Sequence, residues 1–495
     1  MKKTTQKEVN SIVWKACDSF RGTMNSDGYK DYILSMLFVK YLSDSYKEKK
    51  EELTKKHNND DVRINRAMAR EKFKLDNAST FDYLVQHKNA ENIGEIINTA
   101  LDKIEEDNPV KLAGIFRGVD FNNAKNLGDT KERNTILKNL LEDFNNDNLD
   151  LSPSKLEGND VIGDSYEYLI ANFASDAGKK GGEFFTPSQV SSMLAMLVQA
   201  KDGDTIYDPT CGSGSLLIKA AKQVGTKNFA LYGQEKNAVT HALSRMNMFL
   251  HDINDAEIEW GDTIRNPRLL ENDKLKKFDV VVANPPFSLD KWGSEDVVGD
   301  IHNRFEFGIP PKTKGDYAFI LHMLASLNEN GRMAVVMPHG VLFRGSSEGK
   351  IRQQILENNL LDAVVGLPAN LFFGTSIPAS VLVFSKQKTT NDVLFIDASN
   401  EFEKGKNQNT LTDANLQKVV DTYNNRTELE KYSHVATMEE IKENDYNLNI
   451  PRYVDTFEAE EYVDIEATKN TILELEAKRN QLKDKMAEYL KELGV

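Results

Sequence analysis

Cysteine is nearly missing from this sequence. Of 495 residues only Cys17 and Cys211 carry a thiol. They lie far apart and outside any C-x-x-C pattern, which argues against a disulfide scaffold or a cysteine-based zinc site and points to a reducing, cytoplasmic setting. Positive charge is also short, with 62 Lys+Arg against 77 Asp+Glu and a formal net charge of −15. Non-specific DNA binding is driven by cationic neutralisation of phosphates, so this is not a chain that coats DNA unaided; a local basic groove or a partner that supplies the charge stays open. Long apolar runs are missing too. The longest uncharged stretch, Ala363 to Ser385, is broken by Pro368, Asn370, Gly374 and Pro378, so no run spans a bilayer. The lysines of the opening MKKTTQKEVN lead into no apolar segment, hence no signal peptide is expected. No G-x-x-x-x-G-K-[ST] loop occurs, which leaves ATP-driven motion to another polypeptide, and no H-E-x-x-H. The eight histidines are scattered, His339 has a loop role by default, and no metal is expected.

What is present suits a globular protein of two or three domains: 40% hydrophobic and 28% charged residues. Residues 1–160 read as a helical, polar domain, with apolar residues from Ile12 to Leu42 recurring every three to four positions. Tyr46 to Lys56 alternates lysine and glutamate as a solvated helix does, and Thr135 to Asp143 is one further helix. A glycine-rich joint, Ala177 to Gly182, changes the texture.

Within residues 161–455 strands and helices then alternate. The expected elements are strand Thr205–Tyr207, helix Ser215–Val224, strand Phe229–Tyr232, helix Ala238–Leu250, strand Glu257–Trp260 and the β-branched strand Phe278–Ala283. Helix Tyr317–Leu327, strand Met333–Met337, helix Lys350–Glu357 and strands Ala363–Leu367 and Ser380–Phe384 follow. This order predicts an α/β, doubly wound Rossmann-like sheet whose last two strands form an antiparallel edge hairpin. Residues 456–495 carry Ile465, Thr468, Ile472, Leu475, Arg479, Leu482, Met486, Tyr489 and Leu493 at strict 3-4 spacing, a coiled-coil seam suited to docking another chain.

The strongest chemical signal is Asn284-Pro285-Pro286-Phe287, directly after the buried strand Phe278–Ala283. Ligands of open α/β sheets bind at the carboxyl ends of the strands. An aromatic exocyclic amine is a poor nucleophile because its lone pair is delocalised into the ring. Two acceptors, the Asn284 side-chain oxygen and the Pro285 carbonyl, can take its two N–H bonds and favour a pyramidal nitrogen, while Phe287 offers a face for an extruded base. Such catalysis works by positioning and electrostatics. Pro310-Pro311, between Ile309 and Lys312, reads as plain loop.

The second signal is Asp208-Pro209-Thr210-Cys211-Gly212-Ser213-Gly214-Ser215, between the first strand and its helix, where small residues let a ligand approach a helix N-terminus. Leu217 replaces the third glycine of the dinucleotide fingerprint, which disfavours NAD. Glu235 closes the second strand, where an acid grips ribose hydroxyls. Asp262, after the third, is placed to accept from a cofactor's adenine amine. Taken singly, each acid is more often a loop or cap residue; all of them at strand ends beside Asn-Pro-Pro-Phe reverse that balance. Upstream, Gly182-Glu183-Phe184-Phe185-Thr186-Pro187-Ser188 reads as an ordered turn that opens a helix at Pro187.

In the order GEFFTP, DPTCGSGS, YGQE, GDT, FDVVVANPPF the chain resembles the gamma-type N6-adenine DNA methyltransferases, and among them the modification (M) subunit of type I restriction-modification systems. Val13-Trp14-Lys15-Ala16, Tyr29-Lys30-Asp31-Tyr32, Gly315-Asp316-Tyr317-Ala318-Phe319, Met337 to Phe343 and Tyr446 to Tyr453 extend the likeness over nearly the whole chain. The resemblance implies S-adenosyl-L-methionine as cofactor. Glu183, Phe184, Phe185, Thr186, Pro187, Ser188, Asp208, Ser213, Gly214, Ser215, Glu235 and Asp262 would form its site, with methyl transfer at Asn284, Pro285, Pro286 and Phe287. It also implies double-stranded DNA, a specificity subunit, a restriction subunit and two copies of this chain per specificity subunit as partners. Cys211 departs from the small residue usual at its place; it follows Thr210 rather than proline, so packing explains it better than a nucleophilic role. Two other readings are a stand-alone adenine methyltransferase, which lacks an obvious basic DNA-reading module after Phe384, and an RNA or protein amine methyltransferase, since a site alone does not fix its substrate.

Overall fold

The computed structural model describes residues 3–158, 160–177, 185–373, 375–406, 408–456 and 465–494. It falls into two compact units, Met1–Val454 and Asp455–Val495. The first begins with eight helices: α1 (Gln6–Ala16), α2 (Ser26–Lys56), α3 (Asp61–Met68), α4 (Phe81–Gln86), α5 (Ile93–Asp107), α6 (Ala124–Leu127), α7 (Thr130–Phe144) and α8 (Val161–Ala177). α1 starts where Thr5 and Glu8 make a reciprocal capping box. Ile33 to Val39 of α2, apolar but for Ser35, are all buried, so this part of the helix forms the centre of the helical layer. Its second half, Tyr46 to Lys56, is largely solvated as its composition requires.

From α9 (Ser188–Val198) onward the chain builds a sheet: β1 (Thr205–Asp208), α10 (Ser215–Val224), β2 (Ala230–Glu235), α11 (Ala238–Leu250), β3 (Glu257–Trp260), a small hairpin β4 (Leu270–Glu271) and β5 (Lys274–Leu275), then β6 (Phe278–Ala283), α12 (Asp316–Ser326), β7 (Leu327–Pro338), α13 (Gly340–Phe343), α14 (Ser346–Glu357), β8 (Leu361–Gly366) and β9 (Ala379–Ser385). It continues through β10 (Asp392–Asp397), a second small hairpin β11 (Glu403–Lys404) and β12 (Asn409–Thr410), α15 (Asp413–Asn425), β13 (Ser433–Thr437) and α16 (Met438–Glu443).

The nine-stranded sheet runs β13-β10-β8-β9-β7-β6-β1-β2-β3. All neighbours pair in parallel except those of β9 and β13. The expected antiparallel pair β8–β9 forms, with Val364 opposite Leu382, but it lies inside the sheet: β9 inserts between β7 and β8, and β10 and β13 carry the sheet further. Strand β6 shows the layering most clearly. Val280 and Val282 enter the core under α9, α10 and α15, while Val281 and Ala283 enter the core under α12, α14 and α16. Alternate side chains of this apolar run thus serve two cores, as a strand buried on both faces must; Phe278, before a register shift in the ladder, joins the second.

Helix α11 links this sheet to the helical layer, since Leu243, Met246, Phe249 and Leu250 pack into the core of α1, α2 and α8. A polar cluster adds to this seam. Lys222 and Lys219 of α10 pair with Asp164 and Glu167 of α8 at 3.1 and 3.4 Å, beside the buried ring of His251. Gly163 admits that ring, because a Cβ there would lie 2.6 Å from it.

The second unit contains helix α17 (Ile465–Glu492). Ile472, Leu475, Leu482, Met486, Tyr489 and Leu493 are exposed along it. Among the described residues no helix is long and apolar enough to cross a membrane.

Candidate active site

Strand order decides where the site lies. The chain runs outward from β1 to β2 and β3, then returns to the other side of β1 as β6. The loops leaving β1 and β6 therefore part at the carboxyl edge of the sheet, the switch point at which open α/β sheets hold ligands. The β1 loop is Pro209 to Gly214 and the β6 loop begins with Asn284-Pro285-Pro286-Phe287. Phe185, Thr186, Asp208, Thr210, Cys211, Gly212, Ser213, Ser215, Leu216 and Asn284 line one shared cleft.

Gly214 caps α10 at φ +80°, a left-handed conformation that glycine takes without penalty. A Cβ there would sit 2.8 Å from the Met248 methyl. The loop is held from behind: Asn247 donates to the Ser213 carbonyl at 3.0 Å, and the Ser213 and Ser215 hydroxyls lie 3.0 Å apart. Asp208 is 2% exposed and accepts from the Thr210 N–H at 2.9 Å. Burial, reinforced by the nearby Glu235 carboxylate, pushes its carboxyl up to about 8. Burial likewise raises Glu235, against the N–H groups of Asn237 and Gly212, which its carboxylate accepts at 2.7 and 3.0 Å. Glu235 thus ties the end of β2 to the β1 loop.

Asp262 is placed differently from the other acids. Its carboxylate takes the N–H groups of Ile264 and Arg265 and pairs with Lys236 at 2.8 Å. Burial would raise it, but Lys236 and these N–H groups prevail and hold it below the usual range. It caps the turn after β3 and is not among the residues lining the cleft. Cys211 is buried, and desolvation drives its thiol far above the ordinary range, in keeping with a packing role. The His339 Nε2–H donates to the Ala379 carbonyl at the start of β9, 3.1 Å away.

Asn284 is half-buried, Pro285 buried and Pro286 exposed. The Asn284 amide donates to the Thr186 hydroxyl at 3.0 Å, joining two motifs that lie 98 residues apart. Pro187 caps α9, and Ser188 is its first residue. Glu183 and Phe184 lie outside the described residues. The ring of Phe287 meets Phe372 edge-on, with centroids 5.7 Å apart and planes at 69°. Phe373 lies 5.8 Å from Phe185. Sequence reasoning missed Phe372 and Phe373; their adjacent rings inside an uncharged, glycine- and proline-broken stretch were the available signal.

A mostly parallel sheet of this order, with a glycine-containing loop after its first strand and Asn-Pro-Pro-Phe after the strand beside it, has the doubly wound, Rossmann-like arrangement of a methyltransferase. Residues 157–462 match the N-6 DNA Methylase family and residues 9–144 the HsdM N-terminal domain. The chain is 32% identical over 538 aligned positions to the type I restriction enzyme MpnII methylase subunit of Mycoplasma pneumoniae, covering 100% of this chain and 98% of that one. It is 35% identical to the MjaVIII methylase subunit of Methanocaldococcus jannaschii, covering 88% and 76%. The crystal structure of the type I restriction-modification system methyltransferase subunit from Streptococcus thermophilus superposes with a TM-score of 0.81 at 37% identity, over 92% of this chain and 100% of that one. The chain belongs to the N-6 DNA methylase family, the adenine-specific DNA methyltransferases.

Proposed function

We propose that this chain transfers a methyl group from S-adenosyl-L-methionine to the N6 amine of an adenine flipped out of double-stranded DNA, as the modification subunit of a type I restriction-modification complex. The observation that carries this reading is Asn284 lining the cleft beside the β1 loop, with its amide nitrogen bonded to Thr186 of the upstream motif.

The residues present fit the cofactor. The cleft contains a carboxyl, Asp208, that is buried and whose hydrogen bonds within the protein come from Thr210; a ligand with an ammonium group and a sulfonium suits that carboxyl. Phe185, Thr186, Pro187, Ser188, Asp208, Ser213, Gly214 and Ser215 would hold it, with Glu235 shaping the loop, Asp262 supporting the turn beside it, and Glu183 and Phe184 completing the motif. When bound, it supplies an electrophilic methyl group. The Asn284 oxygen and the Pro285 carbonyl accept the two N–H bonds of the target amine and turn its lone pair toward that methyl; Phe287 carries the base on its face. The proton leaves the nitrogen after transfer, so no strong base is required to start the reaction.

Residues 1–160 form the helical domain in this reading, 161–455 the methyltransferase, and 456–495 a coiled-coil helix that docks on the specificity subunit. Two copies of this chain serve each specificity subunit, and a restriction subunit joins the complex. The net charge of −15 accords with a chain that leaves sequence reading to a partner. Methyl transfer from tritiated cofactor to adenine-containing DNA, with and without the specificity subunit, tests this. Sequence-selective transfer only with the partner supports it; tight, sequence-selective binding by the chain alone would favour a stand-alone enzyme.

A further inference from the structure

The segment Gly315-Asp316-Tyr317-Ala318-Phe319 has no part in the chemistry above, yet Asp316 reaches directly to the residue that follows Phe287. Asp316 opens α12 and is 1% exposed. Its Oδ1 accepts the Ser288 N–H at 2.7 Å, and its Oδ2 lies 3.5 Å from the Ser288 hydroxyl. The same Oδ2 accepts from the Arg344 guanidinium. Arg344 in turn holds Glu348, itself 2% exposed, through two bonds of 2.6 and 2.9 Å. One guanidinium therefore pairs with two buried carboxylates, and the Ser288 N–H helps to satisfy the remaining negative charge.

Ser288 itself holds φ +50°, the left-handed region that residues with a Cβ rarely adopt. Such conformations persist where the surroundings over-determine them. Here the surroundings are Asp316 and the next peptide, whose Leu289 carbonyl accepts the Gly315 N–H at 3.0 Å. The turn after Phe287 is thus clamped from the first turn of α12.

We propose that Asp316, backed by Arg344 and Glu348, is a positioning residue that holds Ser288 in its left-handed turn and so sets the angle at which Phe287 and Asn284 meet the target base. This rests on the methyltransferase reading above. A carboxylate can accept from Ser288 and Arg344 at once. An asparagine offers one oxygen and turns an amide N–H toward one of those donors, so Asp316→Asn loosens the clamp with little change of volume. If the clamp acts through the conformation of Ser288, glycine at 288, which adopts positive φ freely, relieves the defect.

The test uses the full complex and compares wild type, Asp316→Asn, Arg344→Lys, and each combined with Ser288→Gly. The expected results for Asp316→Asn are a drop in kcat of tenfold or more, cofactor affinity within about twofold of wild type, and faster amide exchange in residues 287–292. Adding Ser288→Gly recovers kcat at least threefold. Arg344→Lys, which keeps a charge but loses the fork that bridges two carboxylates, gives a smaller loss with the same recovery, and provides the comparison if Asp316→Asn does not fold. Wild-type kcat in both single variants, or losses that Ser288→Gly leaves unchanged, overturns the proposal. The exchange measurement needs no substrate: unchanged protection at 287–292 also overturns it, even if wild type transfers no methyl group, a result that would instead remove the functional reading.

Discussion

The side-chain amide of Asn284 donates to the hydroxyl of Thr186 at 3.0 Å. With Nδ2 engaged by Thr186, Oδ1 is the amide atom that this bond leaves uncommitted, the end that the proposed acceptor role would use. In the proposed reading a segment on the cofactor side of the site thereby also restrains the group on the acceptor side.

Thr186→Val removes the hydroxyl while keeping the branched shape. The Asn284 amide then loses this restraint on rotation, and kcat is expected to fall about tenfold, equal to roughly 1.4 kcal/mol of barrier. Thr186→Ser retains the oxygen and most of the rate. Steady-state methyl transfer by the three proteins checks this, and equal rates for Val and Thr would remove the orienting role.

Asp208 gives a pH dependence with a definite sign. Its carboxyl is pushed up to about 8 in the folded chain, whereas an unfolded aspartate titrates near ~4. Between these values the folded state binds the extra proton, so stability contributed by this group falls as pH rises from ~4 and levels off above about 8, by an amount on the order of 5 kcal/mol. Asp208→Asn should raise Tm at pH 8 and have little effect near pH 4. In wild type a cationic ligand must displace that proton, so cofactor affinity should rise from pH 6 to pH 8 with proton release on binding. Calorimetry in two buffers measures both, and a flat affinity profile contradicts the assignment.

Helix α17 bears on assembly. Its exposed residues Leu475, Leu482, Met486 and Tyr489 follow the 3-4 spacing of a coiled-coil seam. Deletion of residues 465–495 should abolish co-purification with the specificity subunit while leaving cofactor binding by the rest of the chain within about twofold. Normal assembly of the truncated chain would show that docking lies elsewhere.

Local chemistry made much of this fold legible. Helices Ser215–Val224 and Ala238–Leu250 and strands Glu257–Trp260 and Phe278–Ala283 match their expected limits, because Gly214, Gly225 and Asn237 cap the helices and the strands are short runs with clear breaks. β7 starts six residues earlier than the Met333 expected, at Leu327; Asn328, Glu329 and Asn330 carry no strand pattern and lie between the pair Leu327–Phe278 and the ladder that resumes at Arg332 opposite Val280. The insertion of β9 between β7 and β8 and the added strands β10 and β13 depend on contacts between distant segments, which periodicity does not encode. The same limit applies at the site. Asn284 to Phe287 stood out through residue type and placement after a buried strand. The Lys236 partner of Asp262, the Phe372 ring against Phe287, and the grip of Asp316 on Ser288 became visible only once the chain was folded.

The most direct measurement is methyl transfer to adenine by the complex containing Asn284→Ala, with cofactor binding measured on the same protein. The account predicts that transfer is lost while cofactor affinity stays within a few-fold of wild type. Transfer at the wild-type rate, or a loss of cofactor binding large enough to explain the loss of transfer, would contradict it.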